Sequence, residues 1–259
     1  LNNPNPFEPL LDSVVAIAKR AGDSILYHYA KASDRTLKND GSPVTEADRA
    51  SEAVILFGLG AIAPDLPILS EEQVAEGHIP DLSAGIYWCV DPLDGTKEYL
   101  GRTGEFTVCI GGVIGSYPAF GVLHAPALGL TFGAVAGGPA FQFDADGTRS
   151  VISVRSPPTT GKTALISRSH RDGTESDRFL TAENATDRRV MGSAVKFGLI
   201  AMGEADVYAR FGPTSEWDSC AGQAVLEAAG GSVRDLNGER LRCGQPKFLN
   251  PGFIARGGL

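Results

Sequence analysis

No stretch of this chain stays apolar for the roughly 20 residues that a helix needs to cross a bilayer, so no transmembrane segment is expected. Residues 1–9 lack a charged-then-apolar signal pattern. The chain begins at Leu1 without a Met, so it is expected to have been trimmed, and a removed leader stays open. Cysteine is scarce. Cys89, Cys109, Cys220 and Cys243 are scattered, with no C-x-x-C pair. They are expected to be reduced and mostly buried, which suits the cytoplasm. There is no internal repeat and no low-complexity tract. Positive charge is short as well: 23 Lys and Arg stand against 31 Asp and Glu, a net charge of −8. Such a surface repels nucleic acid and anionic lipid, so no nucleic-acid partner is expected. Peripheral association with the inner membrane is left open. A bound phosphate would need local devices: metal ions, helix N-termini and a few placed cations.

What is present is a globular composition, 42% hydrophobic over 259 residues. That length supports one large domain or two small ones. Residues 7–30 read as a helix burying Leu11, Val14, Ala18, Ala21 and Ile25. A second helix opens at Thr45, an N-cap with Asp48 three residues on. Its expected buried stripe is Ala47, Ala50, Val54, Phe57 and Ala61, and Pro64 ends it. Residues 67–69 form a short strand, with Glu71 at its end. Residues 106–143 are rich in Gly, Val, Phe and Ile between turn signals, which suits an antiparallel meander. Residues 156–161 are the best linker. Beyond it strands at 164–166, 189–191 and 206–209 alternate with helices at 175–180, 193–202 and 218–229, an α/β pattern.

The organising stretch is Asp91-Pro92-Leu93-Asp94-Gly95-Thr96. It follows the apolar run 86–90, a buried strand that Pro92 is expected to end at Asp91. Paired carboxylates in a tight turn suit Mg²⁺, which takes oxygen ligands. The N–H groups of Gly95 and Thr96, opening a short helix, are placed for a phosphate. A plain Asp-Pro and Asp-Gly surface turn fits the same letters. Glu71, Asp91 and Asp94 lie at strand ends and Asp218 at a helix start. If the four converge on one cleft, their repulsion calls for a divalent metal. Alternatively Asp218 and Asp48 serve only as helix caps.

Together with Ser70-Glu71-Glu72 upstream and Trp217-Asp218-Ser219-Cys220-Ala221-Gly222 downstream, this block resembles the inositol-monophosphatase superfamily of metal-dependent, lithium-sensitive phosphatases. The continuation Lys97-Glu98-Tyr99, the run Ser42 to Asp48 and the run Gly192 to Asp218 look most like its CysQ-type 3′(2′),5′-bisphosphate nucleotidase branch. The resemblance spans nearly the whole chain. It implies an α/β layered αβαβα sandwich of the inositol monophosphatase and sugar phosphatase type. Residues 1–155 would supply two helices, a large antiparallel sheet and the metal site. Residues 156–259 would form an α/β subdomain contributing Asp218 and substrate contacts.

By the same resemblance the metal ligands are Glu71, Asp91, the Leu93 carbonyl, Asp94 and Asp218, holding two or three Mg²⁺ per site. Asp48 and Thr96 orient and deprotonate the attacking water. Gly95, Thr96, Ser167, His170, Ser193, Lys196 and Arg210 match substrate-binding positions. For Lys196 a solvated helix face is the competing reading, and for His170 an exposed loop. The implied activity is Mg²⁺-dependent removal of the 3′-phosphate from adenosine 3′,5′-bisphosphate, a small-molecule nucleotide, in the setting of sulfate assimilation. Alternatives are an inositol or sugar phosphatase and, from another class, a non-catalytic nucleotide or metal sensor. A homodimer is left open.

Overall fold

A computed structural model describes residues 5–31, 35–37, 43–156, 158–168 and 173–258. The expectations for Ser42 and His170 lie outside the described residues. The helices are α1 (Leu11–Ala30), α2 (Glu46–Ile62), α3 (Glu71–Ala75), α4 (Thr96–Leu100), α5 (Gly173–Ala182), α6 (Val195–Ala201) and α7 (Glu216–Ala228).

Seven strands form the large sheet in sequence order: Ile68–Ser70, Ile86–Asp94, Thr107–Ile114, Tyr117–Ala125, Leu130–Val135, Ala140–Phe143 and Arg149–Ile152. Only the first pair is parallel; the strands from Thr107 to Phe143 form the meander that the turn signals indicated, and Ile86–Asp94 and Arg149–Ile152 extend it antiparallel at either end. Five strands form the smaller sheet, ordered Ala185–Met191, Lys162–Ser167, Val207–Arg210, Phe253–Arg256 and Ser232–Asp235. Its first three strands are parallel, and Phe253–Arg256 runs antiparallel to both of its neighbours.

The layering follows from side-chain alternation. In the large sheet Trp88, Val90, Val108 and Ile110 share a core with Val14, Ala18 and Ile25 of α1 and Ile55 and Leu59 of α2. The intervening Cys109 and Leu123 point the other way, into a core with Phe197 of α6 and Ala221 and Val225 of α7. That second core also takes Leu165, Tyr208 and Phe253 from the small sheet. The small sheet's other face, with Ala164 and Val207, packs on Leu180 of α5. The result is five layers, αβαβα, as the resemblance implied.

Glycine sets the spacing where α7 meets the large sheet. A Cβ on Gly121 would lie 2.2 Å from the Ala221 carbonyl oxygen, and one on Gly111 would lie 2.5 Å from Cys220 Sγ. Only hydrogen at those strand positions lets the helix backbone approach so closely. All four cysteines are free and buried, as expected.

Two local expectations are corrected. The central strand does not stop at Asp91; it runs to Asp94 across Pro92. Its register jumps there, from Asp91 opposite Cys109 to Asp94 opposite Thr107. Two residues thus oppose one, and the bulge absorbs the proline that a regular ladder would reject. The buried face of α2 is also turned from the apolar stripe. It consists of Ala47, Asp48, Ser51, Ile55, Gly58 and Leu59, while Phe57 is 78% exposed. Ser51 Oγ donates to the Pro92 carbonyl at 2.7 Å, so a polar tie to the bulge selects the face.

Candidate active site

The bulge at Pro92 and Leu93 swings the end of the central strand so that Asp91 and Asp94 both reach one point. The Asp91 side chain stays against its own turn, with Oδ1 accepting the Leu93 N–H at 2.9 Å. Asp218 arrives from α7. Ligand oxygens of Asp91, Asp94 and Asp218 lie within 4.8 Å of one another. Burial pushes the Asp94 carboxyl up to about 6, against the pull of the Lys196 cation. Burial, then the charges of Asp94 and Glu71, push Asp218 well above the carboxylate range. The donor set is all oxygen and its members repel one another, which suits a hard dication such as Mg²⁺. Glu71, first residue of α3, lines the same cleft.

Asp48 is 1% exposed. Its Oδ2 accepts the Thr45 N–H at 2.7 Å and the Thr45 hydroxyl at 2.6 Å. The Thr96 hydroxyl lies 3.3 Å from both Asp48 Oδ1 and the Leu93 carbonyl oxygen. Gly95 takes φ 92° as the cap of α4, a left-handed turn that suits glycine. There is no room for a side chain either, since a Cβ would lie 3.0 Å from the Glu105 carbonyl oxygen.

Two buried cations line the same cleft. Lys196 is 3% exposed, which removes the solvated-face reading. Its Nζ donates to the carbonyls of Ser193 and Met191 and sits 4.7 Å from the Tyr208 ring centroid. Burial lowers its pKa to about 8, with Asp94 pulling it up and Arg210 pushing it further down. Arg210 donates to Ser167 Oγ at 3.3 Å and to the carbonyls of Gly212 and Pro213 at 3.3 and 2.8 Å. Both cations therefore rest on neutral acceptors. Ser193 adopts φ 50° at the rim.

The cleft measures roughly 270 Å³. Glu71, Asp94, Gly95, Thr96, Ser167, Ser193, Lys196, Arg210 and Asp218 line it. Asp91 sits beneath, in the carboxylate group, and Asp48 and the Leu93 carbonyl sit behind Thr96. Four aromatic residues also line the cleft and had no expected site role: Phe197, Tyr208, Trp217 and Phe253. Phe197, Tyr208 and Trp217 fall inside the runs that carry the resemblance, which attach no substrate role to them, and Phe253 lies outside those runs. Another residue not foreseen is Ala194, whose N–H donates to Asp94 Oδ2. A backbone donor leaves no trace in residue type.

Comparison with known proteins supplies the context. The chain is 43% identical over 249 residues to 3′(2′),5′-bisphosphate nucleotidase CysQ of Shigella flexneri, covering 94% of this chain and 98% of that protein. The figures are the same for the CysQ of Escherichia coli K12. The fold superposes on the crystal structure of CysQ from Bacteroides thetaiotaomicron with a TM-score of 0.77 at 32% identity, covering 95% and 97% of the two chains. It also superposes on the inositol monophosphatase of Anabaena sp. PCC 7120 with a TM-score of 0.76 at 27% identity, covering 98% and 92%. The family model for the inositol monophosphatase family matches residues 7–257, and with these relatives over nearly its whole length the chain belongs to that family.

Proposed function

We propose that this protein is a Mg²⁺-dependent 3′(2′),5′-bisphosphate nucleotidase. It hydrolyses the 3′-phosphate of adenosine 3′,5′-bisphosphate to AMP and phosphate, and the sulfated form of that nucleotide is the second substrate to assay. One observation carries the reading: three carboxylates within 4.8 Å of one another share one cleft with two buried cations held by neutral groups. The carboxylates suit metal and the cations suit a second phosphate. The 43% identity to CysQ nucleotidases supports the nucleotide over a sugar phosphate.

Residues 1–155 supply the metal site and residues 156–259 add Asp218 and the substrate contacts. Glu71, Asp91, the Leu93 carbonyl, Asp94 and Asp218 would hold two or three Mg²⁺. Bound Mg²⁺ supplies charge neutralisation at the phosphoryl oxygens and a lowered pKa for the attacking water. The Thr96 hydroxyl and Asp48 align that water, and Asp48 takes its proton. The N–H groups of Gly95 and Thr96 hold the phosphoryl oxygens as the bond to the ribose 3′-oxygen breaks. Lys196, Arg210, Ser167 and Ser193 grip the uncleaved 5′-phosphate. His170 is assigned to the nucleotide on resemblance alone. A cytoplasmic setting belongs to the reading. Among the described residues no helix is long and apolar enough to cross a membrane. A homodimer is the assembly to test, by light scattering.

The test is phosphate release by purified protein from adenosine 3′,5′-bisphosphate and from inositol 1-phosphate, with Mg²⁺, Ca²⁺ or EDTA. Turnover should favour the nucleotide, vanish in EDTA, and be poor with Ca²⁺, whose looser geometry misaligns the water. Li⁺ should inhibit. Full turnover in EDTA would sink the metal mechanism, and preference for inositol 1-phosphate would replace the substrate.

A further inference from the structure

The carboxylates come from the end of a large-sheet strand and from α7, the cations from α6 and a small-sheet strand, and one carboxylate outside the cleft lining ties the two sheets together. Glu105 lies two residues before the large-sheet strand Thr107–Ile114. Its oxygens accept from Arg168 Nε and Nη2 at 2.7 and 2.6 Å, and Oε2 also accepts the Gly192 N–H at 2.8 Å. Arg168 follows Ser167 and Gly192 follows Met191, and these two strand ends are parallel neighbours in the small sheet. Glu105 therefore closes the ends of two adjacent strands at once.

The turn after Gly192 carries much of the site. Ser193 holds a left-handed φ of 50°, a conformation that a non-glycine residue keeps only when its surroundings fix it. In that conformation the Ala194 N–H donates to Asp94 and the Ser193 carbonyl accepts from Lys196. The packing leaves little slack. A Cβ on Gly192 would lie 2.4 Å from Glu98 Cγ and 2.9 Å from the Glu105 carbonyl oxygen. One on Gly95 would lie 3.2 Å from Ser193 Cβ.

We infer that Glu105 is a positioning residue for the reaction. Through the Gly192 N–H it fixes the 192–194 turn, and through that turn it sets Asp94 and Lys196. Arg168 in turn orients the Glu105 carboxylate. The inference rests on the phosphatase reading of the cleft.

Three variants separate the two contacts, the Arg168 pair and the Gly192 bond. Glu105→Ala loses both. Glu105→Gln keeps an oxygen for Gly192 but drops the charge facing Arg168. Arg168→Ala leaves the Gly192 bond in place. Glu105→Ala should lower kcat/KM on adenosine 3′,5′-bisphosphate about ten- to hundredfold, with KM raised and kcat reduced together. Glu105→Gln and Arg168→Ala should stay within about fivefold of wild type. A Glu105→Gln loss as deep as that of Glu105→Ala would overturn the inference, as would a Glu105→Ala variant close to wild type. If Glu105→Ala does not fold, hydrogen exchange at the Gly192 amide is followed in the other two. Protection retained together with activity supports the clamp; protection lost with activity unchanged refutes it. A wild type inactive on both nucleotide and inositol phosphate removes the phosphatase reading and the inference together. An active wild type with an unaffected Glu105→Ala removes the inference alone.

Discussion

Asp48 and Asp218 hold the same place in two helices on opposite faces of the large sheet. Each is the third helical residue, and each accepts the N–H of its cap residue: Thr45 at 2.7 Å and Ser215 at 3.0 Å. From residue type alone each could be a cap or a site acid. The geometry makes the two roles compatible, because a carboxylate has two oxygens. Asp48 bonds its cap through Oδ2 while Oδ1 meets the Thr96 hydroxyl. Asp218 bonds its cap while sharing a point with Asp91 and Asp94.

Asp48→Asn should separate the roles. Asparagine still accepts the Thr45 N–H but cannot take a proton from water. Turnover should fall roughly 10²- to 10⁴-fold with the melting temperature nearly unchanged. Asp48→Ala should add a loss of about 0.5–2 kcal/mol from the missing cap. Rates are measured beside thermal melts. An Asn variant keeping a tenth of wild-type kcat would show that Asp48 only caps the helix.

Lys196→Ala should distinguish the two phosphatase substrates. The ammonium is buried beside Tyr208 and feels the Asp94 charge. A hydrogen bond to a charged group contributes about 1.5–3 kcal/mol, so kcat/KM on the bisphosphate should drop about ten- to hundredfold. A substrate with one phosphate and no nucleotide should lose little. An equal loss on both would place Lys196 at the reacting phosphate instead.

Much of this was readable from residue order, and the failures share a cause. The stripe of α1 came out as expected, with Leu11, Val14, Ala18, Ala21 and Ile25 all buried, because one apolar face meets one apolar sheet. The stripe of α2 did not, because Asp48 and Ser51 turn inward toward the bulge and Gly58 lets Ile17 of α1 pack close. Counting apolar residues cannot foresee a face chosen by polar ties. The strands Ser232–Asp235 and Phe253–Arg256 were not expected either: each has only four residues, and they pair with each other across the intervening turns. At the site, acids in a dense motif were legible. The Ala194 N–H and the Glu105 carboxylate were not, since their roles exist only once two sheets meet.

Gly121→Ala should damage the site from a distance. The added Cβ would lie 2.2 Å from the Ala221 carbonyl oxygen and 3.0 Å from Ala224 Cβ. Backbone cannot swing aside as a side chain does, so α7 must shift and Asp218 with it. Overpacking of this kind costs roughly 1–3 kcal/mol. Melting temperature and kcat should both fall. Gly60→Ala on α2 is the control: nothing lies within 4 Å of its Cβ position, and the exchange should stabilise the helix by up to about 1 kcal/mol. Wild-type melting and turnover in Gly121→Ala would mean that α7 is less closely held than the glycines imply.

His124 should make stability depend on pH. It is buried on the large sheet beneath α1, with Nδ1 2.9 Å from Thr131 Oγ1 and its ring where a Cβ on Gly22 would fall. Burial first, and the Lys19 cation second, push its pKa down to about 4; Asp23 and the Leu130 backbone pull the other way. The unfolded imidazole takes its proton near pH 6.5. Between those values the unfolded chain binds a proton that the folded chain refuses, so the unfolded state gains as pH falls. The stabilisation is complete above about pH 6.5 and is lost progressively down to about pH 4, at about 1.4 kcal/mol for each pH unit crossed. Buried carboxylates such as Asp94, whose pKa is raised, act with the opposite sign and would mask the effect in a single curve. The measurement is therefore a difference: stability of wild type minus that of His124→Gln, by denaturant titration from pH 4 to pH 8. That difference should rise between about pH 4 and 6.5 and level off above. A flat difference would mean that water reaches the ring and that α1 does not seal it.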